Sequence, residues 1–480
     1  MTEDAIVVGA GPNGLAGAVA LAQQGLSVTV LEAADTIGGG VRTSELTLPG
    51  LLHDHCAAVH PMATASPFLR SLALERHGLE WRRAEIDLAH PLDRGPAAVL
   101  QRSLDDTARG LGRDGAAWRR LFAPLSHHFD ALAAELMGPP LHLPRHPVAF
   151  ARFGVLAPRT ATAVANRWDA PGTRALFAGV AAHAVRPLSA PGSAAIALML
   201  IAAGHRFGWP VAHGGSQAVA HALAARLHEL GGTVQTGVRV RTLSELPPSR
   251  VTLLDTTPLA ALSLCGDRLP VRTQRAYARW AHGPAAFKVD LAVEGGVPWR
   301  DEACRRAGTV HLGGTLEEVA HAEWAVAHGR MPERPFVLVS QQYLADPVRS
   351  FGNVHPVWAY AHVPHGYTGD ATEAVWGQLE RFAPGVREHV LAHATMSPAQ
   401  LESYNANYVG GDILNGANTI RQMTLRPRVA LDPYSTGIPG VFLCSAATPP
   451  GPGVHGMCGY HAARSALRHL GLPKLPAEHP

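Results

Sequence analysis

The sequence predicts an α/β fold on three observations. An apolar strand runs straight into a glycine-rich turn and a helix near the beginning, strand and helix patterning returns between Gly214 and Pro258, and a strand with a glycine/proline loop stands near the end. The first element is a complete βαβ unit. Ala5-Ile6-Val7-Val8 leads into Gly9-Ala10-Gly11-Pro12-Asn13-Gly14, and an Ala/Leu-rich helical stretch continues to Gln24. Strand, tight turn and helix occur in the order that a Rossmann-like dinucleotide site needs.

Each glycine has its own physical reason. Gly9 permits the sharp turn out of the strand, Gly11 lets the backbone approach a pyrophosphate, and Gly14 lets the helix pack against the sheet. Pro12, followed by Asn13, suits a first helical turn, where a missing N–H costs nothing and the unpaired N–H groups face the phosphates. Gly25 closes the helix, and Ser27-Val28-Thr29-Val30-Leu31 forms a second buried strand ending on Glu32 and Ala33. An acidic side chain at that point accepts from ribose hydroxyls and repels a 2′-phosphate, so the site suits an adenosine with a free ribose.

A second glycine signal follows. Asp35-Thr36-Ile37-Gly38-Gly39-Gly40-Val41-Arg42-Thr43 is a glycine-rich turn with an arginine four residues after Gly38. It resembles the G-G-x-x-R-[ST] signature that follows the βαβ unit in FAD-dependent oxidoreductases of the amine oxidase and phytoene desaturase superfamily. That resemblance implies FAD as the cofactor rather than NAD, with Arg42 beside pyrophosphate and flavin and Gly39 and Gly40 as cofactor contacts. It also implies a GR2-type FAD-binding domain carrying an inserted α+β substrate-binding domain.

Composition agrees with a globular enzyme: hydrophobic residues make up 47% and charged residues 16%, which excludes a disordered chain. At 480 residues it should form two or three domains around a large core. The net charge of +3, from 41 basic and 38 acidic residues, is too balanced to argue for nucleic acid. Cys56, Cys265, Cys304, Cys444 and Cys458 contain no C-x-x-C pair, so neither a disulfide framework nor a zinc site is suggested. The first strand is reached by Ala5, which leaves no room for a signal peptide and points to the cytoplasm. Gly192 to Gly204 is about 13 residues, too short to cross a bilayer, and reads as a buried helix. Peripheral membrane contact stays open, since relatives that desaturate carotenoids collect lipid-soluble substrates.

Beyond the arginine lies His53-Asp54-His55-Cys56-Ala57-Ala58-Val59-His60-Pro61, with Ser66-Pro67-Phe68 opening a helix in which Ser66 is the cap. This stretch resembles an H-D-x-C-x-A-x-H-P-x-x-x-x-S-P-F pattern in a narrower branch of bacterial phytoene-desaturase-like proteins, the pyridine nucleotide-disulfide oxidoreductase domain-containing protein 2-like branch. Read from the residues alone, His53, His55 and His60 could ligate a metal. Flavin chemistry needs none, and the alternative is a polar loop beside the flavin, with His60 either a proton carrier near neutral pH or a hydrogen-bonded structural histidine.

From Pro67 to Phe207 the sequence is helical and proline-punctuated, with Trp118 to Met137 spacing its apolar residues at helical intervals. Gly214-Gly215-Ser216-Gln217 then starts a helix, and Thr233 to Val240 makes a strand. The resemblance implies that the backbone of Val238 holds the adenine edge, while Val251 to Pro258 is a parallel strand bringing Thr256 to the cofactor. The expected division is 1–66, 208–265 and 425–480 for the FAD-binding domain, 67–207 for the helical part of the substrate domain, and 266–424 for its mixed sheet. In that last segment Phe287 to Val293, Phe336 to Leu344 and Val357 to Pro364 read as strands and Asp370 to Phe382 as a helix.

Lysine occurs only at Lys288 and Lys474. On a strand Lys288 shares a face with Asp290, which gives two readings: a salt-bridged polar face, or a lysine in the cavity holding a water or substrate group near the flavin. Near the end, Ile438 to Cys444 forms a strand leading into Ser445-Ala446-Ala447-Thr448-Pro449-Pro450-Gly451-Pro452-Gly453-Val454-His455-Gly456-Met457. The expected helix start near Val454 suits the electron-rich pyrimidine end of a reduced flavin. This resembles the closing FAD motif of the same branch, with Ser445 in place of the branch's glycine, and implies Ser445, Gly453, Val454, His455 and Met457 as cofactor residues.

No second G-x-G-x-x-G opens a helix, so the NAD(P)H domain of disulfide reductases is missing. The sequence therefore predicts an FAD-dependent oxidoreductase reduced by its own small organic substrate, forming C=C or C=N, with electrons leaving to oxygen, a quinone or another acceptor. A hydride would pass to flavin N5 from a C–H about 3–3.5 Å away, with His60 and Lys288 as the candidates for polar assistance. The alternatives are a carotenoid-type polyene desaturase or a flavin-dependent isomerase, and a non-catalytic FAD-loaded scaffold. No oligomeric state follows from the sequence.

Overall fold

The computed structural model describes residues 3–473, so Lys474 and the rest of the closing segment lie outside it. A five-stranded parallel sheet runs in the order Val441–Leu443, Ser249–Leu254, Glu3–Val8, Val28–Leu31, Thr233–Gln235. Its central strand is apolar without alternation, and Ala5, Ile6 and Val7 are fully buried, as a strand covered on both faces requires. The strand expected to run to Val240 ends at Gln235. Gly237 adopts φ +72°, and the turn it makes lets the Val238 N–H donate to Glu32 O at 2.8 Å.

Helix Pro12–Ala22 packs on this sheet and against the closing helix Met457–His469. Backbone meets backbone there: a Cβ on Gly459 would lie 1.8 Å from Asn13 O and one on Gly14 2.1 Å from Gly9 O. Glycine is therefore obligatory at both positions.

The second sheet has seven strands in the order Val390–Met396, Ala285–Glu294, Val354–Val363, Val337–Ser340, Ala307–Leu312, Ile86–His90, Ala98–Leu100. Two of them come from the stretch read as helical. Ile86–His90 is wholly buried and pairs in parallel with Ala307–Leu312, more than two hundred residues away, and no local periodicity announces such a partner. The Trp118 region is two helices, Gly115–His127 and Phe129–Leu136, broken at His128. From Ala194 onwards the stretch Gly192 to Gly204 falls in the helix Ala194–Phe207, and among the described residues no helix is long and apolar enough to cross a membrane.

Register fixes what the second sheet presents to the cleft. Lys288, Tyr360, Leu338 and His311 stand opposite one another across four strands, and Asp290, Trp358, Ser340 and Thr309 form the adjoining row. Both rows share one face. A buried ion cluster ties the parts together: Arg349, fully buried, pairs with Asp54 and with Asp346 at 3.0 Å, and donates to Ala212 O at 2.7 Å.

Candidate active site

One cavity of about 980 Å³ runs from the parallel sheet to that face of the mixed sheet. Its first half is the turn region. Gly9, at φ +105°, leaves the first strand, and a Cβ on Gly11 would sit 2.7 Å from Asp255 Oδ2. Glu32 is held in place by the Ala10 N–H at 2.8 Å and the Ala34 N–H at 2.9 Å. Arg42 spans the cleft, donating to Thr36 O at 3.1 Å and Tyr404 O at 3.2 Å and reaching Glu32 at 3.5 Å.

Of the residues expected to bind the cofactor, Gly9, Gly11, Pro12, Asn13, Glu32, Ala33, Gly39, Gly40, Arg42, Val238, Thr256, Gly453 and Val454 line this cavity. Early and late parts of the chain thus share one wall. Four others do not line it. Gly14 lies underneath, pressed on Gly9 O. Ser445 Oγ instead accepts from the Ala447 N–H at 3.3 Å, while its neighbour Ala446 reaches the cavity. The closing helix begins at Met457 rather than near Val454, and His455 Nδ1 accepts the Met457 N–H at 3.1 Å. That N–H is therefore not one of the free donors the sequence suggested. Val238 likewise has its N–H engaged and offers its carbonyl.

The catalytic candidates separate. His60 lines the cavity, with Nε2 2.7 Å from Ser216 Oγ and a buried Nδ1 that has no partner. Burial pushes its pKa down to about 4, so it is a neutral imidazole at neutral pH, and its bond to Ser216 agrees with the reading of it as a hydrogen-bonded histidine. Lys288 is not among the lining residues. On the same sheet face as the lining Tyr360 and Trp358 it ion-pairs with Asp290, which His53 approaches at 3.3 Å, so its ammonium is taken up by that buried carboxylate. Its ammonium also lies 5.9 Å from the ring of Trp358, which does line the cavity. The loop histidines are dispersed: His53 bonds Thr47 at 2.8 Å, and His55 bonds Ser44 at 2.7 Å and stacks on Tyr404.

Several wall residues were not singled out in the sequence. Asp255 receives the Gly14 N–H at 3.0 Å, and burial, reinforced by Glu32, pushes its pKa up to about 7. The segment from Tyr404 to Tyr408 clamps the second glycine turn: Tyr404 donates to Gly39 O at 2.7 Å, and a Cβ on Gly40 would lie 2.0 Å from the Tyr408 hydroxyl. Its run of Tyr and Asn was the one local hint. Beyond the turns, the cavity wall is Met199, Leu200, Trp209, Trp358 and Tyr360, with His183 and Thr309 among them.

The residues present fit a flavin nucleotide. Gly9, Gly11, Gly39 and Gly40 put bare backbone on the cavity wall, and the buried Thr256 Oγ1 and Asn13 Oδ1 on that wall have no partner. The sequence profile of a family described as flavin containing amine oxidoreductase matches residues 13–340. The chain belongs to the flavin containing amine oxidoreductase family. FAD is its cofactor, and it is an FAD-dependent oxidoreductase.

Other proteins resemble the chain over nearly its whole length. It is 23% identical to mouse (Mus musculus) pyridine nucleotide-disulfide oxidoreductase domain-containing protein 2, over 97% of this chain and 94% of that one. Among solved structures, an oxidoreductase from Methanosarcina mazei superposes with a TM-score of 0.64 at 15% identity, covering 97% and 99% of the two chains. Putrescine oxidase bound to putrescine gives 0.62 at 19% identity, covering 98% and 99%. Cyclohexylamine oxidase from Brevibacterium oxydans gives 0.56 at 17% identity, covering 98% of each. At those identities the structural likeness is one of fold.

Proposed function

We propose that this flavin oxidoreductase removes a hydride from a small, uncharged organic substrate, forming a C=C or C=N bond. The observation that carries the reading is where the lining charges lie. Glu32, Asp35, Asp255, Arg42, Arg239 and Arg241 all belong to the nucleotide half, while the wall beyond holds aromatic, aliphatic and neutral polar groups. FAD, when bound, supplies the two-electron acceptor. Trp209, Trp358, Tyr360 and Met199 exclude water and hold the apolar body of the substrate. Neutral His60, with Nε2 anchored on Ser216, accepts through Nδ1 the proton that the substrate loses along with its hydride.

The same 980 Å³ has to admit the nucleotide as well, which favours a small molecule over a carotenoid-type polyene. Oxygen or a quinone takes the electrons away. The test is anaerobic bleaching of the flavin in purified protein. A neutral alkene, ketone or free amine should reduce it, and aerobic reoxidation with and without a quinone then separates the acceptors. Rapid bleaching by NADPH, with none by any organic substrate, would overturn the proposal.

A further inference from the structure

At the mixed-sheet end of the cavity three imidazoles cluster. His183 follows helix Pro171–Ala182, His311 stands two residues beyond Thr309 on the same sheet face, and His90 comes from the neighbouring strand. Gly179 makes room for them: a Cβ there would lie 2.6 Å from His90 Nδ1 and 2.8 Å from His311 Nδ1. His90 Nε2 is 2.8 Å from Gly314 O, a carbonyl that can only accept, so the proton of His90 is on Nε2.

The second bond fixes the next proton. His183 Nε2 and His311 Nε2 are 3.1 Å apart, so one of them is protonated. His311 Nδ1 is buried and without a partner. A stranded N–H there costs more than a bare lone pair, so His311 carries its proton on Nε2 and donates to His183. The proton of His183 is then on Nδ1, which has no partner among the described residues. His183 lines the cavity, and so does Thr309, whose buried Oγ1 is also unpartnered. Burial keeps the imidazoles neutral, with His183 pushed down to about 3.

We infer that His183 and Thr309 form a subsite for an uncharged oxygen of the substrate, a carbonyl or hydroxyl, and that His311 acts as the positioning residue holding His183 in its donor tautomer. The inference rests on reading this part of the cavity as the substrate chamber. Neither a carboxylate nor an ammonium group finds an opposite charge here, since the lining charges lie in the nucleotide half.

Two measurements on the FAD-loaded protein test it. In ¹⁵N-histidine spectra, with the His183 signals assigned by their loss in His183→Phe, the wild type should show His183 protonated on Nδ1, and His311→Phe should abolish that preference. In titrations followed by flavin absorbance, cyclohexanone should bind about tenfold more tightly than methylenecyclohexane, its oxygen-free counterpart. The gap should close in His183→Phe and narrow in Thr309→Val, and cyclohexanecarboxylate and cyclohexylammonium should bind less well than the ketone. His183 protonated on Nε2, equal affinities or no detectable ketone binding in the wild type, or a gap surviving His183→Phe, would each overturn the subsite. None of these readouts needs turnover, so failure to oxidise any substrate would sink the dehydrogenase reading separately.

Discussion

Asp255 closes a strand at the foot of both glycine turns, with its carboxylate accepting from the Gly14 N–H and lying where a Gly11 side chain would go. Its folded pKa of about 7 lies above the ordinary carboxylate value, so between about pH 4 and 7 the folded chain holds a proton that the unfolded chain has released. That contribution to stability falls as pH rises through this window and is level above it. Asp255→Asn should flatten the slope and gain thermal midpoint relative to wild type at pH 8 but not at pH 4, measured on both proteins side by side. The sequence could not announce this group, because an aspartate after a strand is ordinary until burial and Glu32 surround it. Lys288 was more legible: strand alternation placed it with Asp290, and the structure pairs them. Lys288→Met leaves that carboxylate buried beside His53 alone, and should lower stability in denaturant titration by about 3–5 kcal/mol.

At the level of elements, the βαβ unit was readable because its signals are local: an unbroken apolar run, a glycine turn, then alanine and leucine. The packing of its helix against Met457–His469 was not, since a glycine inside a helix looks like a propensity defect until another backbone is seen on it. Gly459→Val puts branched carbon where Asn13 O already lies, and should lower stability by about 3 kcal/mol or more. Because Pro12 and Asn13 line the cavity, flavin retention after gel filtration should fall with it. The start of the closing helix was misplaced by three residues because Gly453, at φ +140°, and Gly456, at φ +68°, prolong the loop. Ile86–His90 escaped because its pairing partner lies far along the chain.

Across the whole molecule, buried polar groups join what the sequence left as separate segments. Arg349→Met would leave Asp54 and Asp346 without their shared cation, and should cost about 3–5 kcal/mol in denaturant titration. Histidine burial gives a second global property: His55, His60, His90, His183, His205, His455 and His461 are all held at about 3 or 4 by desolvation. Their unfolded values lie near 6.5, so the unfolded chain binds more protons below that pH, and stability is lost as pH falls from about 6.5 towards 4. Asp255 and Asp87, pushed up by burial to about 7 and about 6, work in the opposite sense but are fewer than the histidines. Circular dichroism against pH should therefore show a steep transition in that window, with several protons taken up. The parallel sheet, finally, puts its earliest strand at the centre and Val441–Leu443 at the edge, with Gly453 and Val454 completing the cavity wall. On a translating ribosome the nascent chain then carries its first glycine turn for on the order of half a minute before the far wall is synthesised. A chain cut short before Val441 lacks both that edge strand and that part of the wall, and should purify nearly full length but colourless.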